Sequence, residues 1–269
     1  MKIEDSGSGN EFLFDPDAFA PGADLRVRGD DNTIAIGDDV DLRAPMIHIQ
    51  GNGNVIRLAT EPIDVAPPET GREGPFILHV SEREAQIIVL GDANRIESGH
   101  HVELYDSKLQ IVGNDNVMRF GHRARGHFRI DFHTSGALFD VGDQTTCVSM
   151  HGSLHEPRAL RLGKDCQIAA DIYATVSDTH SISDLRTGER INPGQDVVIG
   201  DHVWLCYRAV ILKGSTIGSG SVVGTCAVVA GDIGENSLAV GNPARVVREN
   251  IAWDRDLPAV EAVEPVHSP

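Results

Sequence analysis

Histidine is the residue type whose placement here invites chemistry, with 12 copies in 269 residues. His122 and His127 form an H-x4-H pair and His151 and His155 an H-x3-H pair, spacings compatible with zinc ligation. His180 stands in another setting, SDTHSISDLRTGERINPGQD, two residues after Asp178 and in a stretch without hydrophobic period. An unperturbed imidazole titrates near ~6.5, so a loop histidine suits proton transfer around neutral pH. Cys147, Cys166, Cys206 and Cys226 show no C-x-x-C spacing and read as small core residues of a reduced protein rather than a metal cage.

The element that must position these residues is a repeat. Ile199, Leu205, Ile211, Ile217, Val223 and Val229 fall six residues apart, and four residues after each stands Val203, Ala209, Ser215, Ser221, Ala227 or Ile233. A helix repeats its apolar face near 3.6 residues and a half-exposed strand near 2. Period six suits a coil that turns a corner after each short strand and stacks on the coil before it, the signature of a parallel β-helix. An antiparallel β-sandwich would need two-residue turns and alternating faces, which this strict phase does not offer.

The N-terminal half carries a second repeat, RGDDNTIAIG, QGNGNVIRLA, LGDANRIESG and VGNDNVMRFG, in the frame G-x-x-N, with glycines 29, 51, 91 and 113 and asparagines 32, 54, 94 and 116. Gly and Asn tolerate the left-handed backbone of a tight corner, and an Asn amide can bond to the corner above or below, so the frame marks corners of stacked coils. Calcium at these Asp-Asn corners is disfavoured because too few carboxylates recur in phase. Residues 1–23 read as a flexible segment and 24–130 as N-terminal coils with a proline-rich insertion at 60–85. Residues 131–253 read as hexapeptide coils interrupted by a loop at 177–195, and 254–269 as a flexible tail.

The formal charge of −17 argues against nucleic acid or an anionic membrane as partner through a global field. No apolar stretch nears the roughly 18 residues of a membrane span, and MKIEDSGSGNEF lacks a secretion signal's apolar core, so a cytoplasmic protein is expected.

The ordered parts SDTHSISD, VVIGDHVW and GNPARVV, with TGERIN and the Asn-cornered coils, resemble the hexapeptide-repeat acetyltransferases, in particular the bacterial capsular-polysaccharide and polysialic-acid O-acetyltransferases. The resemblance implies an all-β fold, a left-handed parallel β-helix with a protruding loop at 177–195, although parallel crossovers in general favour the right hand. It implies transfer of an acetyl group from acetyl-CoA to a carbohydrate acceptor, in a homotrimer with the site between subunits. The matching positions are His180 as general base, Asp178 as the group that orients or polarises it, and Trp204 as a ring lining the cleft. Tyr207, Thr225, Ala230, Gly231 and Arg248 match coenzyme contacts, and Arg245 and Arg248 follow the G-N-P-A turn, where a guanidinium suits coenzyme phosphates. Cys206 departs from the family's glycine, and Gly231 stands where a Thr-Lys pair often supplies a lysine. No metal is implied.

Three other readings share the same ladder: an N-acetyltransferase of an amino-sugar nucleotide, a γ-class carbonic anhydrase-like zinc enzyme, and a non-catalytic scaffold. The zinc enzyme needs three histidines brought together across an interface, and the pairs at 122/127 and 151/155 lack its local motif. GHRARGHFR reads as a basic patch able to guide an anionic sugar, or as a solvated face balancing nearby acids.

Overall fold

The structure, a computed structural model, describes residues 2–15, 22–37, 45–58 and 85–257. Every regular element within them is a strand, and the strands stack in parallel as one sheet of nine and one of sixteen, closed at the C-terminal end by one antiparallel pair. From Glu103 onward the strands recur in threes, one to each face of a triangular prism, as in Trp204–Leu205, Val210–Ile211 and Thr216–Ile217. Two faces count as one sheet because Arg125–Phe132 and Thr146–Leu154 run round the corner between them, with a register shift between Gly126 and Phe128. The fold is the left-handed parallel β-helix that the resemblance implied, of about nine coils. Among the described residues no helix is long and apolar enough to cross a membrane.

Coil length changes along the axis. Leu25 pairs with Ile47 and Ile87 with Leu109, 22 residues apart, whereas Leu205 pairs with Val223 and Ile211 with Val229, 18 apart. In the short coils the period-six residues from Ile199 to Val229 are at most 2% exposed, and the residues four after each at most 6%. One left-handed residue, His202, Arg208, Gly214, Gly220 or Cys226, precedes a small residue at each corner, with φ between 53° and 74°. The chain turns there, and the inside of the bend is filled by Ala209, Ser215, Ser221 and Ala227, with Val203 the largest. Fully burying each branched residue contributes roughly 1.5–3 kcal/mol. The wider coils need larger fillers, and Phe120, Phe128 and Phe139 meet edge to face with centroids 5.4–6.3 Å apart.

The wide coils are also bound by amides. Asn54 Nδ2 donates to Asn32 Oδ1 at 3.0 Å and to Gly91 O at 2.9 Å, and Asn94 and Asn116 repeat the pattern on the next coils. All four of these asparagines are buried, so the corner bonding read from the G-x-x-N frame holds. The glycine is required as well: Gly91 has φ 139°, and a Cβ there would lie 2.1 Å from Gly113 O.

Two readings of the sequence change. Lys2–Asp5 and Glu11–Leu13 are strands paired with Asp24–Arg28 and Thr33–Ile36, so a coil occupies part of the span read as a flexible segment at 1–23. Its corner is Gly7-x-x-Asn10, whose Asn10 Oδ1 accepts from Asn32 Nδ2 at 3.0 Å; the frame was present 22 residues before Gly29 but masked by the acidic, glycine-rich composition. Of the four cysteines, all free, Cys147 and Cys166 are core residues, Cys206 is half-buried, and Cys226 is exposed at a left-handed corner. The insertion expected at 60–85 lies, except for Ala85, outside the described residues.

Candidate active site

Residues 177–195 leave the ladder between the strands Ile172–Thr175 and Val197–Ile199. Ile168 pairs with Leu205, 37 residues on, where the next pairing spans 18, so the loop is one uninterrupted block added to a coil of hexapeptide length. Ser183 and Arg190 form an antiparallel bridge, and Ile191 N donates to Ile182 O at 2.8 Å, which makes the outer part a small hairpin.

The loop is fastened at its foot. Glu156 accepts from Arg190 Nη2 at 2.6 Å, Ser177 Oγ at 2.7 Å and Gly194 N at 3.0 Å. Those bonds, that of Arg190 foremost, hold its carboxyl down to about 2. Asn192 is buried between exposed Ile191 and Pro193. Its Nδ2 donates to Asp178 Oδ2 and His180 O, both at 2.8 Å, and its Oδ1 accepts from Ile182 N at 2.6 Å. Lys213, on the coil that follows the loop, pairs with the Asp178 carboxylate and donates to Asn192 O at 3.1 Å. The Lys213 ammonium, then the Asn192 amide, hold the Asp178 carboxyl below its ordinary value.

His180 is exposed, and its backbone is fixed at both polar atoms, N to Asp178 O at 2.7 Å and O to Asn192. The Asp178 carboxylate, assigned to the imidazole by the resemblance, is engaged instead by Lys213 and Asn192. Among the described residues no hydrogen bond joins it to the ring. Reading the sequence passed over Glu156, Asn192 and Lys213, whose partners in the loop lie up to 38 residues away and only become neighbours once the coils stack.

The coenzyme-matching positions gather along two edges of the prism. Ala230 and Gly231 lie one coil beyond Lys213 on the edge from which the loop emerges, and Gly231 has φ 135° with open space around it. Tyr207 and Thr225 hold successive places on the neighbouring edge, where Cys226 N donates to Tyr207 O at 2.9 Å and both side chains face outward. Between the edges runs the narrow face of Val210–Ile211 and Val228–Val229. Arg245 and Arg248 sit on the strand Arg245–Arg248, which folds back antiparallel onto Leu238–Val240 after the cis Asn242–Pro243 bond. Cys206, in the glycine position, is a half-buried free cysteine, and burial pushes its thiol up to about 11.

Trp204 lies on the third face, apart from His180. Its ring centroid is 5.8 Å from that of Trp253, which stacks on His202 at 4.1 Å and donates Nε1–H to His202 O. Arg255 beyond it binds Asp165 Oδ1, Cys166 O and Thr146 Oγ1, so the first residues of the expected tail at 254–269 are strapped across three coils.

The paired histidines do not converge. His122 is buried at a corner, where its Nδ1 accepts from His100 N at 3.1 Å, while His151 meets Asp131 and His155 stacks on His133. Among the described residues no three His, Cys, Asp or Glu side chains gather as a metal-ligand set. The expected basic patch is divided, since Arg125 and Arg129 leave the strand on different faces, either side of the register shift.

A left-handed ladder of hexapeptides with a histidine-bearing loop at its register break matches the architecture of the hexapeptide-repeat transferases. The family described as bacterial transferase hexapeptide (six repeats) matches residues 196–231. The polysialic acid O-acetyltransferase of Neisseria meningitidis is 32% identical over 173 residues, 64% of this chain and 80% of that protein. In fold the chain is similar to the polySia-specific acetyltransferase NeuO, with a TM-score of 0.51 and 22% identity over 97% of this chain and 91% of that one. It is equally similar to the polysialic acid O-acetyltransferase OatWY, with a TM-score of 0.50 and 23% identity over 97% and 95%. The chain belongs to the hexapeptide-repeat acetyltransferase family.

Proposed function

We propose that this protein is an O-acetyltransferase that moves an acetyl group from acetyl-CoA to a hydroxyl of a polysaccharide, with His180 as general base. The observation that carries this reading is the fastening of the His180 loop to Lys213, one coil from Ala230 and Gly231, which match coenzyme contacts. His180 takes the hydroxyl proton as the oxygen attacks the thioester carbonyl. The tetrahedral oxyanion collapses, the C–S bond breaks, and the imidazolium returns the proton to the departing thiolate. Asp178 acts on the base through the backbone: with Asn192 and Lys213 it fixes the chain that carries His180, and Lys213 neutralises a carboxylate two residues from the ring. Along the edges, small residues leave backbone groups open to the pantetheine amides, and Arg245 and Arg248 offer guanidinium groups to the phosphates.

The active unit in this reading is a homotrimer. His180 and Trp204 belong to different faces of one chain, and the loop exposes Ile182, Leu185 and Ile191. A second copy laid against the loop would cover these apolar side chains and bring its own Trp204 face toward His180. A thiol-release assay with acetyl-CoA against sialylated and neutral oligosaccharides at equal concentration tests the function. Acceptor-dependent release is expected, and release no greater than in the acceptor-free control with every glycan would sink it.

A further inference from the structure

The outward face before the loop differs in chemistry from the one after it. After the loop the outward residues are Val210 and Val228. Before it, register aligns Lys108, Arg129, His151 and Tyr173 in one column across successive coils. Four residues further on, just past the ends of the strands that carry Arg129 and His151, lie His133 and His155, whose rings stack at 4.8 Å. Between the columns Asp131, 7% exposed, accepts from Arg129 Nε at 3.1 Å and meets His151 Nε2 at 2.9 Å. Burial pushes the Asp131 carboxyl up, but the bonds from His151 and Arg129 outweigh it and leave it below the ordinary value. A buried carboxylate on an outward face has a clear effect: it aims a guanidinium and an imidazole at solvent, and among the described residues Arg129 bonds to it through Nε.

This surface is continuous with the catalytic loop. His155 directly precedes Glu156, the carboxylate that fastens the loop. Burial, then the neighbouring His133, lowers the proton affinity of His155, and His180 adds to the effect. The donor-matching positions all lie on coils after the loop, so a base standing between donor and acceptor leaves the coils before the loop for the acceptor. The column of Arg129 and that of His133 are four residues apart along extended chain, about 13 Å at 3.3 Å per residue, which exceeds one monosaccharide.

Taking the acetyl-transfer reading as its basis, we propose that the face bearing Arg129, His151, Tyr173, His133 and His155 is the acceptor subsite, built for an acidic oligosaccharide or polymer rather than a single sugar. Arg129 pairs with a carboxylate on one unit, Tyr173 and His151 line its ring, and His133 and His155 flank the neighbouring unit whose hydroxyl faces His180. In a chain of charge −17, Lys108 and Arg129 on this face supply a local attraction that the global field does not.

Binding without turnover separates this proposal from the one it rests on. Tetrasaccharides of sialic acid and of galacturonic acid, each with its carboxyl-reduced counterpart, are titrated calorimetrically into the His180→Ala protein with Arg129 intact, and into His180→Ala carrying Arg129→Gln or Arg129→Lys. At least one acidic tetrasaccharide is expected to bind, its reduced form at least tenfold more weakly. Arg129→Gln should remove that preference, and Arg129→Lys should keep part of it, with circular dichroism unchanged. Equal binding with and without Arg129, or no acidic preference with Arg129 intact, overturns the subsite whatever the activity assay shows. In turnover, Arg129→Gln alone should raise the acceptor KM about tenfold at constant kcat and constant acetyl-CoA KM; an unchanged acceptor KM also overturns it. Absence of thiol release with Arg129 intact, beside normal carboxylate-dependent binding, overturns the activity and leaves the subsite standing.

Discussion

Two corners of the ladder close in different ways, the one after Asp24–Arg28 in the wide coils and the one after Trp204–Leu205 in the narrow coils. In the 22-residue coils the corner side chains hold the stack: Asn32, Asn54, Asn94 and Asn116 bond to one another inside, and outside them Asp30, Asn52, Asp92 and Asn114 each accept from a backbone N–H of the preceding coil. In the 18-residue coils the corners after Trp204–Leu205 and Val222–Val223 close with backbone bonds alone, Ala209 N to Cys206 O and Ala227 N to Gly224 O, both at 3.1 Å. Tyr207 and Thr225 therefore face outward without being needed for the turn. The wide coils commit their Asn corner to stability, whereas the narrow coils leave the Tyr207–Thr225 corner free of that task and place side-chain bonds at the other two, through Ser215 and Ser221.

The largest expected effect lies at the boundary between the two regions. His180→Ala should lower acetyl transfer by about 100- to 10,000-fold, the usual contribution of a general base, and leave the thermal midpoint unchanged because the ring is exposed. Steady-state thiol release beside calorimetry checks both halves. Full turnover by the variant would remove His180 from the chemistry.

A change in the amide ladder should do the reverse. Asn94→Leu deletes the acceptor of Asn116 N and Nδ2, both at buried positions, and the donor to Gly113 O. Leaving such groups unpaired costs roughly 1–3 kcal/mol each, and about 3 kcal/mol in total is expected from urea unfolding, with kcat at low temperature retained. Thr225→Ala, at a corner of the narrow coils, should leave stability within about 0.5 kcal/mol and raise the acetyl-CoA KM. Equal destabilisation by the two variants would erase the distinction between the regions.

The fold was legible because both repeats encode geometry locally. Ile199 to Val229 mark inward positions of the narrow strands, and the G-x-x-N frame marks one corner of the wide coils up to Asn116, each with a direct steric or hydrogen-bonding reason. The outer ladder was equally visible, since the residue after Gly29, Gly51, Gly91 and Gly113 is Asp or Asn, but as alternating residue types it reads as ordinary corner polarity. The position of His180 followed from where register breaks and from family likeness. Its support did not: Asn192 looks like any polar loop residue, Lys213 like any surface cation, and their partnership with Asp178 depends on the coil after the loop lying directly against its base. Trp204 and Trp253 are likewise neighbours only because the chain doubles back across three coils.

The clip that joins the loop to the narrow coils gives a subtler test. Lys213 and Asp178 form a neutral pair two residues from His180, and Arg158, Arg190, Glu156, His155 and His133 stand around the loop, which carries the Asp184–Arg186 pair itself. Lys213→Met leaves an uncompensated carboxylate, which favours the imidazolium, so the acid limb of the pH–rate profile should move to higher pH. Asp178→Asn leaves an uncompensated ammonium and should move it to lower pH. Each shift should be on the order of one unit, and the double variant should return toward the starting profile with a lower kcat. Identical shifts in both single variants would mean that the pair acts on loop structure alone.

The smallest effect concerns how the loop is held to the last coil before it. The Glu156 carboxyl is held near 2 in the folded protein, by Arg190 first and Ser177 next, against an ordinary value of 4.5. A depressed carboxylate stabilises the folded form fully above the ordinary value, and the contribution is lost as pH falls through the folded one. Attachment of the loop should therefore weaken progressively from about pH 4.5 toward pH 2 while the amide-bound wide coils, which contain no titrating group in their inner ladder, keep their protection. Hydrogen exchange at the Gly194 amide, which donates to Glu156, reports the first, and exchange at the Asn94 amide the second. Glu156→Gln should make Gly194 exchange faster at neutral pH and nearly independent of pH over that window once intrinsic exchange is divided out. Parallel loss of protection at both amides would show that acid opens the whole ladder rather than the loop.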